Sequence, residues 1–281
     1  MKHVFIVAAH AYPQLLEQNV RMLEADNHFF FIHVDKKTKN LKPWKDVANK
    51  HKNVFLIEDR MQVNWGGYSQ ILLTIKLLQT ANKYSNFDYV HFISGQDIVL
   101  YDAGKFDERF AMAEGKSYML YSRMEANIEF RIRHFFTHDY IDHLKKYAYP
   151  VKALERLIAL FVWRPKLKME VKSGSQWFSL HSSVMDYILN YLQEYPEYLK
   201  RYRWTTCADE LFFHTLLWPV RDELNICTKN NLRYIDWSAA GSHPRTLTLE
   251  DYPKIYATDS VFARKVHPDT SARLIEKITH R

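Results

Sequence analysis

The sequence lacks several features that would assign it to a familiar compartment. Its 281 residues contain only two cysteines, Cys207 and Cys227, too few for a disulfide framework, which favours a reducing compartment. No run of about 18 apolar residues occurs, so no membrane-spanning helix is expected. The apolar run at residues 4–9 follows the first Met almost at once and leaves no room for a signal peptide. These absences predict a cytoplasmic protein.

Several catalytic and cofactor motifs are also missing. Neither G-x-G-x-x-G nor G-x-x-x-x-G-K-[ST] occurs, which argues against the common phosphate loops. The 14 histidines form no H-E-x-x-H pattern and paired Cys-x-x-Cys spacings are absent, so a zinc site is not expected. No G-x-S-x-G elbow of a serine hydrolase and no D-x-D triplet is present.

The composition is that of a folded protein with an anionic ligand. A hydrophobic content of 47% supports a large core, and no repeat, low-complexity tract or linker divides the chain, so one domain over residues 1–281 is predicted. The formal net charge of +7 suggests nucleotide phosphates, nucleic acid or an acidic membrane surface as partners. Net charge alone does not choose among them.

Hydrophobic periodicity predicts an α/β fold. Strands are expected at residues 2–9, 29–35, 54–57 and 89–94, with helices at 13–24 and 69–81. Such alternation is typical of a mostly parallel sheet flanked by helices, and ligands bind outside the carboxyl ends of its strands. His10, Asp35 and Asp97 follow three of these strands and are therefore expected at one edge of the sheet.

The second half is predicted to face the substrate. Residues 121–172 are rich in Arg, His and aromatic residues and are predicted to be helical or irregular. After them we expect a strand at 175–180, a helix at 183–193, a short segment at 232–237 and a C-terminal helix. Residues 151–163 form the most apolar helical segment. A buried helix is the favoured interpretation, and a helix lying on a membrane beside Arg164, Lys166 and Lys168 is the alternative.

Two adjacent carboxylates stand at the start of an apolar helix over residues 207–213. Thr206 and Asp209 have the spacing of a capping pair, which would explain Asp209 structurally. Glu210 is explained less fully and is a candidate base, although acids before an apolar helix are usually surface caps.

Two glycine-containing turns are further candidates. Gly66 and Gly67 precede a helix with Ser69 as its expected N-cap, and Trp65 beside them favours base or sugar stacking over a simple turn. Asp97, after Gly95, would bind a sugar hydroxyl or merely cap its own loop.

Basic residues near the C-terminus are candidates for a diphosphate site. A nucleotide-sugar enzyme needs positive charge on the departing diphosphate, from a metal held by carboxylates or from Lys and Arg. Because no D-x-D motif is present, positive charge supplied by Lys and Arg is favoured, and Arg245 and Lys265 are the candidates. Surface solvation is the alternative for either residue.

Six motifs in order resemble the core-2/I-branching β-1,6-N-acetylglucosaminyltransferase and peptide xylosyltransferase family over nearly the whole chain. They are HVD at residues 33–35, V-x-W-G-G-x-S at 63–69, S-G-Q-D at 94–97, GSQWF at 174–178, D-E-x-F-F at 209–213 and FARK at 262–265. The resemblance implies an inverting, metal-independent glycosyltransferase with a GT-A-like α/β fold, a UDP-sugar donor, a glycan acceptor and no cofactor. It also implies a nucleotide-binding half at 1–120 and an acceptor-binding and catalytic half at 121–281.

The resemblance assigns roles to matching residues. Glu210 falls on the catalytic base, Arg245 and Lys265 on the basic pair, and Trp237 on an acceptor-stacking position. The resulting candidate site has Glu210 as catalytic residue; His10, Asp35, Trp65, Gly67, Asp97, Arg245 and Lys265 toward the donor; and Arg133, Trp177, Asp209 and Trp237 toward the acceptor.

Substrate and setting stay open. UDP-GlcNAc is the favoured donor, with UDP-xylose, UDP-galactose and UDP-glucose as alternatives. Eukaryotic relatives carry an anchor, a stem and disulfides, so a bacterial cytoplasmic enzyme is expected, with peripheral contact to the inner face of the membrane as an option. A noncatalytic carbohydrate-binding protein using Trp65, Trp177 and Trp237, or a nucleic-acid binder, are the rival classes, the latter without a recognised module.

Overall fold

The computed structural model describes residues 1–84, 86–122, 127–143, 145–239 and 243–280. The strands in this part of the chain are β1 (His3–Ala9), β2 (His28–Val34), β3 (Val54–Leu56), β4 (Tyr89–Ser94), β5 (Asp97–Val99), β6 (Ser117–Tyr121), β7 (Gly174–His181), β8 (Ile226–Cys227), β9 (Arg233–Ile235) and β10 (Phe262–Arg264).

The helices in the same ranges are α1 (Pro13–Met22), α2 (Lys42–Lys50), α3 (Ser69–Tyr84), α4 (Ala103–Ala111), α5 (Ile128–Arg133), α6 (Tyr149–Ala159), α7 (Ser182–Glu194), α8 (Pro196–Arg201), α9 (Asp209–Leu217), α10 (Tyr252–Tyr256) and α11 (Ala272–Thr279). Short 3₁₀ turns cover Lys146–Ala148, Trp218–Val220 and Leu249–Asp251. Of these elements, the sequence analysis missed β5, β6, α2 and α4 in the first half.

The main sheet has seven strands in the order β3-β2-β1-β4-β7-β6-β8. Strand β1 runs parallel to β2 and β4, and β2 runs parallel to β3. Strand β7 is antiparallel to both β4 and β6. The predicted α/β class, with a mostly parallel central sheet flanked by helices, is confirmed. Strands from both halves of the sequence pair in this one sheet.

Side chains on alternate strand positions build a core on each face of the sheet. In β1, Val4 and Ile6 pack with helices α3, α7 and α9, whereas Phe5 and Val7 pack with α1, α2 and α4. Neighbouring residues of a strand point to opposite faces, so a strand covered on both sides must be apolar throughout. This explains why the first strand was recognisable as a continuous apolar run.

A second, three-stranded sheet joins the end of the chain to the main sheet. Strand β10 pairs antiparallel with β5 and parallel with β9, in a register that sets Arg264 opposite Asp97. Ala263 packs into a third apolar cluster with Ile98 and with Leu274 of α11. Because β5 follows β4 directly, this pairing delivers the C-terminal basic residues to the carboxyl end of β4.

Both predicted helix caps are wrong. Ser69 is the first residue of α3, and the carboxylate of Asp139, far away in sequence, accepts hydrogen bonds from the Ser69 backbone N–H at 3.1 Å and from its hydroxyl. Thr206 instead bonds the His138 ring at 2.9 Å, and Ala208 provides no side-chain cap for α9. Tertiary partners have replaced the local ones.

The favoured interpretation of residues 151–163 as a buried helix is also wrong. Within α6 only Glu155 and Ala159 are buried, and Leu154 and Leu157 are each 55% exposed. Among the described residues, no helix combines the length and the apolar content that crossing a bilayer requires.

Gly174 gives a direct test of the β6–β7 packing. A Cβ at this position would collide with the Leu120 carbonyl oxygen and the His214 ring, whereas a Cβ on Gly104 in α4 would meet only Asp102 Oδ1, at 3.5 Å. We expect Gly174→Ala to lower the free energy of unfolding by about 1–3 kcal/mol, because a backbone carbonyl cannot yield cheaply. Gly104→Ala should raise it by up to about 1 kcal/mol, as Ala favours helices.

Urea unfolding of both variants measures the two effects. Equal stability of Gly174→Ala and the wild type would contradict the described packing of β7 against β6.

Candidate active site

A cavity of about 920 Å³ opens at the carboxyl ends of β1, β2 and β4. His10 follows β1 and Asp35 follows β2, and both line this cavity as predicted. Glu210 and Lys265, from the second half of the sequence, line it from other sides. The carboxyl ends of parallel strands meet at one edge, which is where α/β proteins bind ligands.

Glu210 stands in the first turn of α9 with its carboxylate 46% exposed. Arg131 Nη2 donates to Glu210 Oε2 at 2.8 Å and to the Cys207 carbonyl at 2.6 Å, and its Nε donates to the Thr206 carbonyl at 3.3 Å. Arg131 therefore clamps the loop before the helix as well as the acid. The carboxylate is held in a fixed orientation at the cavity wall.

Asp209 also lines the cavity but is almost fully buried. Burial, reinforced by the charge of Glu210, raises the pKa of Asp209 to about 7. Its Oδ1 has no hydrogen-bond partner among the described residues. Asp209 therefore carries a proton over much of the acidic range, and its charge near neutral pH differs from that of an ordinary aspartate.

The two-glycine turn contacts the loop before Glu210. The Cys207 backbone N–H donates to the Gly66 carbonyl at 2.8 Å, and Gly66 has a left-handed φ of +71°. Gly66 and Trp65 line the cavity, and Trp65 is 41% exposed. Gly67 is not among the residues that line it. The Asp139 carboxylate occupies the space that a Cβ on Gly67 would need.

A buried arginine stands beside Lys265 in the cavity wall. The Arg264 guanidinium lies 4.0 Å from the centre of the Trp177 ring, and its Nε is 3.4 Å from Asp97 Oδ1. Both Arg264 and Lys265 line the cavity. Burial, with the charge of Arg264, lowers the pKa of Lys265. The two residues form the cationic wall of the cavity.

Asp97 has the loop-capping role that was its alternative interpretation, whereas the Trp177 ring is partly covered by other side chains. Asp97 is 1% exposed and accepts from the Ser94 backbone N–H at 2.5 Å, so it orders the loop after β4 and faces Arg264 instead of a ligand. Trp177 lines the cavity, but Arg264 covers a face of its ring and Phe92 packs against it. The ring supports Arg264 and is not a free stacking platform.

Two predicted cations lie outside the cavity. Arg245 is bound by Asp236 and Asp251, each at 2.5 Å, and these carboxylates raise its pKa. Arg133 donates to the Arg164 carbonyl at 3.2 Å and lies 4.6 Å from the centre of the Trp163 ring. Both side chains are therefore engaged by protein partners, and neither is among the residues that line the cavity. His243 and Arg131, near them in sequence, line the cavity instead.

Asp35, Trp237 and His10 are also among the residues that line the cavity. Asp35 lines the cavity while its carboxylate accepts from the backbone N–H groups of Lys37 and Val63 at 2.8 and 3.3 Å. Trp237, 61% exposed, lines it too. Loss of hydration lowers the pKa of His10; Asp35 opposes this shift, and Lys265 reinforces it.

Sequence reasoning missed several cavity-lining side chains. These include Lys37, Gln70, Gln176, His243 and Arg264. Arg264 precedes Lys265 within FARK, and Gln176 precedes Trp177 within GSQWF. Nothing local distinguished the residue that faces the cavity from its neighbour.

A possible metal-ligand group in the described ranges lies outside the cavity. His3, His28 and Asp107 bring three ligand atoms together where β1 and β2 begin, at the opposite edge of the sheet. His28 donates through Nδ1 to the Leu23 carbonyl at 2.8 Å, and its Nε2 is 2.6 Å from Asp107 Oδ1. Hydrogen bonds therefore hold His28 and Asp107, whereas the buried His3 Nε2 lies 3.3 Å from Asp107 Oδ1 without a hydrogen-bond partner among the described residues.

The cationic wall and the Glu210 carboxylate line one cavity at the carboxyl edge of a mostly parallel sheet, which is where α/β proteins place ligand-binding sites. A sequence profile described as "Core-2/I-Branching enzyme" matches residues 3–258. The chain therefore belongs to the Core-2/I-Branching enzyme family, a family of glycosyltransferases, as the resemblance indicated.

The sequence identity between this chain and individual proteins is low. Xylosyltransferase 2 of Canis lupus familiaris is 23% identical over 294 residues, covering 93% of this chain and 31% of that protein. Beta-glucuronosyltransferase GlcAT14B of Arabidopsis thaliana is 29% identical over 99 residues, which cover 34% of this chain and 23% of that protein. The solved structure of galactosyltransferase LgtC in complex with donor and acceptor sugar analogs matches with a TM-score of 0.48 and a sequence identity of 10%. The match covers 99% of this chain and 95% of that chain. The chain spans about a third of the length of the first relative.

The raised pKa of Asp209 predicts a pH-dependent effect on stability. An unfolded aspartate titrates near pH ~3.9, so between about pH 4 and 7 unfolding releases a proton and wild-type stability falls as pH rises. Asp209→Asn cannot ionise. We expect it to gain stability relative to the wild type across this window, by a total on the order of a few kcal/mol.

Urea unfolding at about pH 5 and about pH 8 measures the difference. Asp269→Asn, at a carboxylate that is 95% exposed, is the matched control and should show no such trend. A wild-type-minus-variant difference that does not change with pH would contradict the burial of Asp209.

Proposed function

We propose that the chain is an inverting glycosyltransferase that moves a sugar, with GlcNAc as the favoured case, from a UDP-sugar to a hydroxyl of a glycan acceptor. Membership of the Core-2/I-Branching enzyme family supports glycosyl transfer. The observation that carries the mechanism is that a carboxylate, Glu210, and a cation, Lys265, line the same cavity.

In this mechanism Glu210 is the general base. It accepts the proton of the acceptor hydroxyl while that oxygen attacks the anomeric carbon, and the bond from that carbon to the UDP oxygen breaks. Attack opposite the leaving group inverts the configuration. Arg131 acts as a positioning residue because it binds Glu210 Oε2 and the carbonyls of the preceding loop.

The departing UDP gains negative charge as its bond to the sugar breaks. Lys265 and Arg264 would stabilise that charge, an electrostatic contribution worth a few kcal/mol when the donors are preorganised. Arg264 is preorganised by the Trp177 ring and by Asp97. The missing D-x-D motif supports a reaction without a bound metal.

Donor and acceptor regions follow from the cavity wall. Asp35, just after β2, and Trp65, just before α3, are proposed to hold the uridine, and exposed Trp237 to stack on the acceptor. The name of Xylosyltransferase 2 favours UDP-xylose as the second candidate donor, with a peptide or glycan acceptor. A noncatalytic carbohydrate-binding role would use Trp65 and Trp237 without turnover.

Glu210→Gln tests the base. With a panel of UDP-sugars and candidate acceptors, the wild type should release UDP, and the variant should lose about 10²–10⁴-fold in turnover because the amide cannot accept the proton. Affinity for UDP, measured by calorimetry, should stay close to the wild-type value.

Glu197→Gln is the matched control for Glu210→Gln, since Glu197 is also an acid in the first turn of a helix, paired with a basic residue. It should keep full turnover. Wild-type turnover in Glu210→Gln would refute the assignment, and UDP or glycan binding with no UDP release in any combination would favour the noncatalytic role.

Lys265→Ala tests the source of positive charge on the diphosphate. We expect a loss of about 10²–10³-fold in kcat, whereas EDTA should leave wild-type turnover intact. Arg245→Ala should keep most of the turnover and instead lower the free energy of unfolding, because it leaves Asp236 and Asp251 unpaired. Activity that disappears with EDTA and returns with Mn²⁺ would show that a metal supplies the charge.

A further inference from the structure

A large apolar surface lies on α6 and the turn that follows it. Its members are Leu154, Leu157, Ile158, Leu160, Phe161, Val162 and Trp163, called here the α6 surface, with exposures from 38% for Ile158 to 78% for Phe161. Single exposed apolar residues are ordinary, but a contiguous group of seven marks an interaction site.

The orientation of the helix is fixed by its inner face. Leu154, Leu157, Ile158 and Phe161 have the i, i+3, i+4, i+7 spacing of a stripe that normally faces a core, yet all of them are exposed. Glu155 is buried, and its Oε1 accepts from the Thr137 backbone N–H and hydroxyl, each at 2.7 Å. Rolling the apolar stripe inward would expose this acid and break both bonds.

The segment that carries the α6 surface exposes charges of one sign. Residues 145–169 contain seven basic residues and a single acid, Glu155, which faces inward. The cations that are exposed are Lys145, Lys146, Arg156, Lys166 and Lys168. An apolar face whose own segment exposes five cations and no acid matches the boundary between anionic headgroups and acyl chains.

The aromatic residue at the end of the surface is held in place. Trp163 is 53% exposed, lies 4.6 Å from the Arg133 guanidinium and packs edge-on against His134. Tryptophan beside basic residues is the side chain that prefers the headgroup level of a bilayer.

We propose that the α6 surface binds the face of a bilayer that contains anionic phospholipids, with its apolar side chains at the headgroup boundary and its cations on the phosphates. The 11-residue helix is too short to span a bilayer, so it lies along the interface. A second copy of the chain fits less well, because a two-fold contact through this surface would bring the same cations face to face.

The proposed surface adjoins the cavity through α5. Arg133 of α5 contacts Trp163, and Arg131, on the same short helix, holds Glu210. Docking of the α6 surface would therefore set the cavity close to the membrane. The binding itself does not depend on the glycosyl transfer proposed above.

Vesicle flotation of the full chain tests the proposal. We expect binding to phosphatidylcholine vesicles containing about 30 mol% phosphatidylglycerol to exceed binding to pure phosphatidylcholine by at least about tenfold. Binding should fall when NaCl rises from about 0.1 to about 0.5 M, because salt screens the cations.

Two pairs of variants separate the apolar and the charged contributions. Leu157→Ser with Phe161→Ser should lower binding at least about tenfold, whereas Met112→Ser, at a methionine that is 72% exposed elsewhere, should not. The double variant Lys166→Glu, Lys168→Glu should lower binding by a similar factor. The control double variant Lys45→Glu, Lys254→Glu should change binding much less, because these exposed lysines lie on α2 and α10. Circular dichroism checks that each variant is folded.

Three results would overturn the proposal. The first is a wild-type chain that does not float with anionic vesicles. The second is flotation that persists in the Leu157→Ser, Phe161→Ser variant. The third is a wild-type chain that does not float but forms a dimer in light scattering, when the Leu157→Ser, Phe161→Ser variant is monomeric. That result would assign the α6 surface to self-association.

Discussion

The pairing of β10 with β5 is the constraint on which the candidate site depends. It carries Arg264 and Lys265 from the last part of the chain to the carboxyl end of β4, where the first half supplies His10 and Asp35. Asp97 has a central part in this pairing, since it orders the loop after β4 and faces Arg264 at 3.4 Å. Without the pairing of β10 with β5, the cavity would keep its acids and lose its cationic wall.

The opposite wall is assembled by contacts between loops. The turn at Gly66 bonds to Cys207, and Arg131 reaches from α5 to bind both the loop before α9 and Glu210. Three segments remote in sequence therefore fix one carboxylate. A functional acid in the first turn of a helix needs such support, because the helix dipole favours its charge but does not set the direction of the side chain.

The α6 helix shows how a buried polar group can override an apolar pattern. Its spacing of leucine, isoleucine and phenylalanine is that of a core helix, and the sequence predicted one. Glu155 bonds Thr137 inside the protein, however, so the apolar stripe faces outward. The cost of exposing that stripe is the physical reason to expect a partner for it.

Sequence patterns are enough to predict the α/β class, the strands that precede His10 and Asp35, and Glu210 and Lys265 as cavity residues, because periodicity and short motifs are local properties of the chain. Only the tertiary structure decided that Arg264 and Arg131 line the cavity while Arg245 and Arg133 do not, that Asp97 is buried, and that Asp139 caps α3. Those outcomes depend on which side chains become neighbours and which lose their water when distant segments pair. No window of sequence contains both partners.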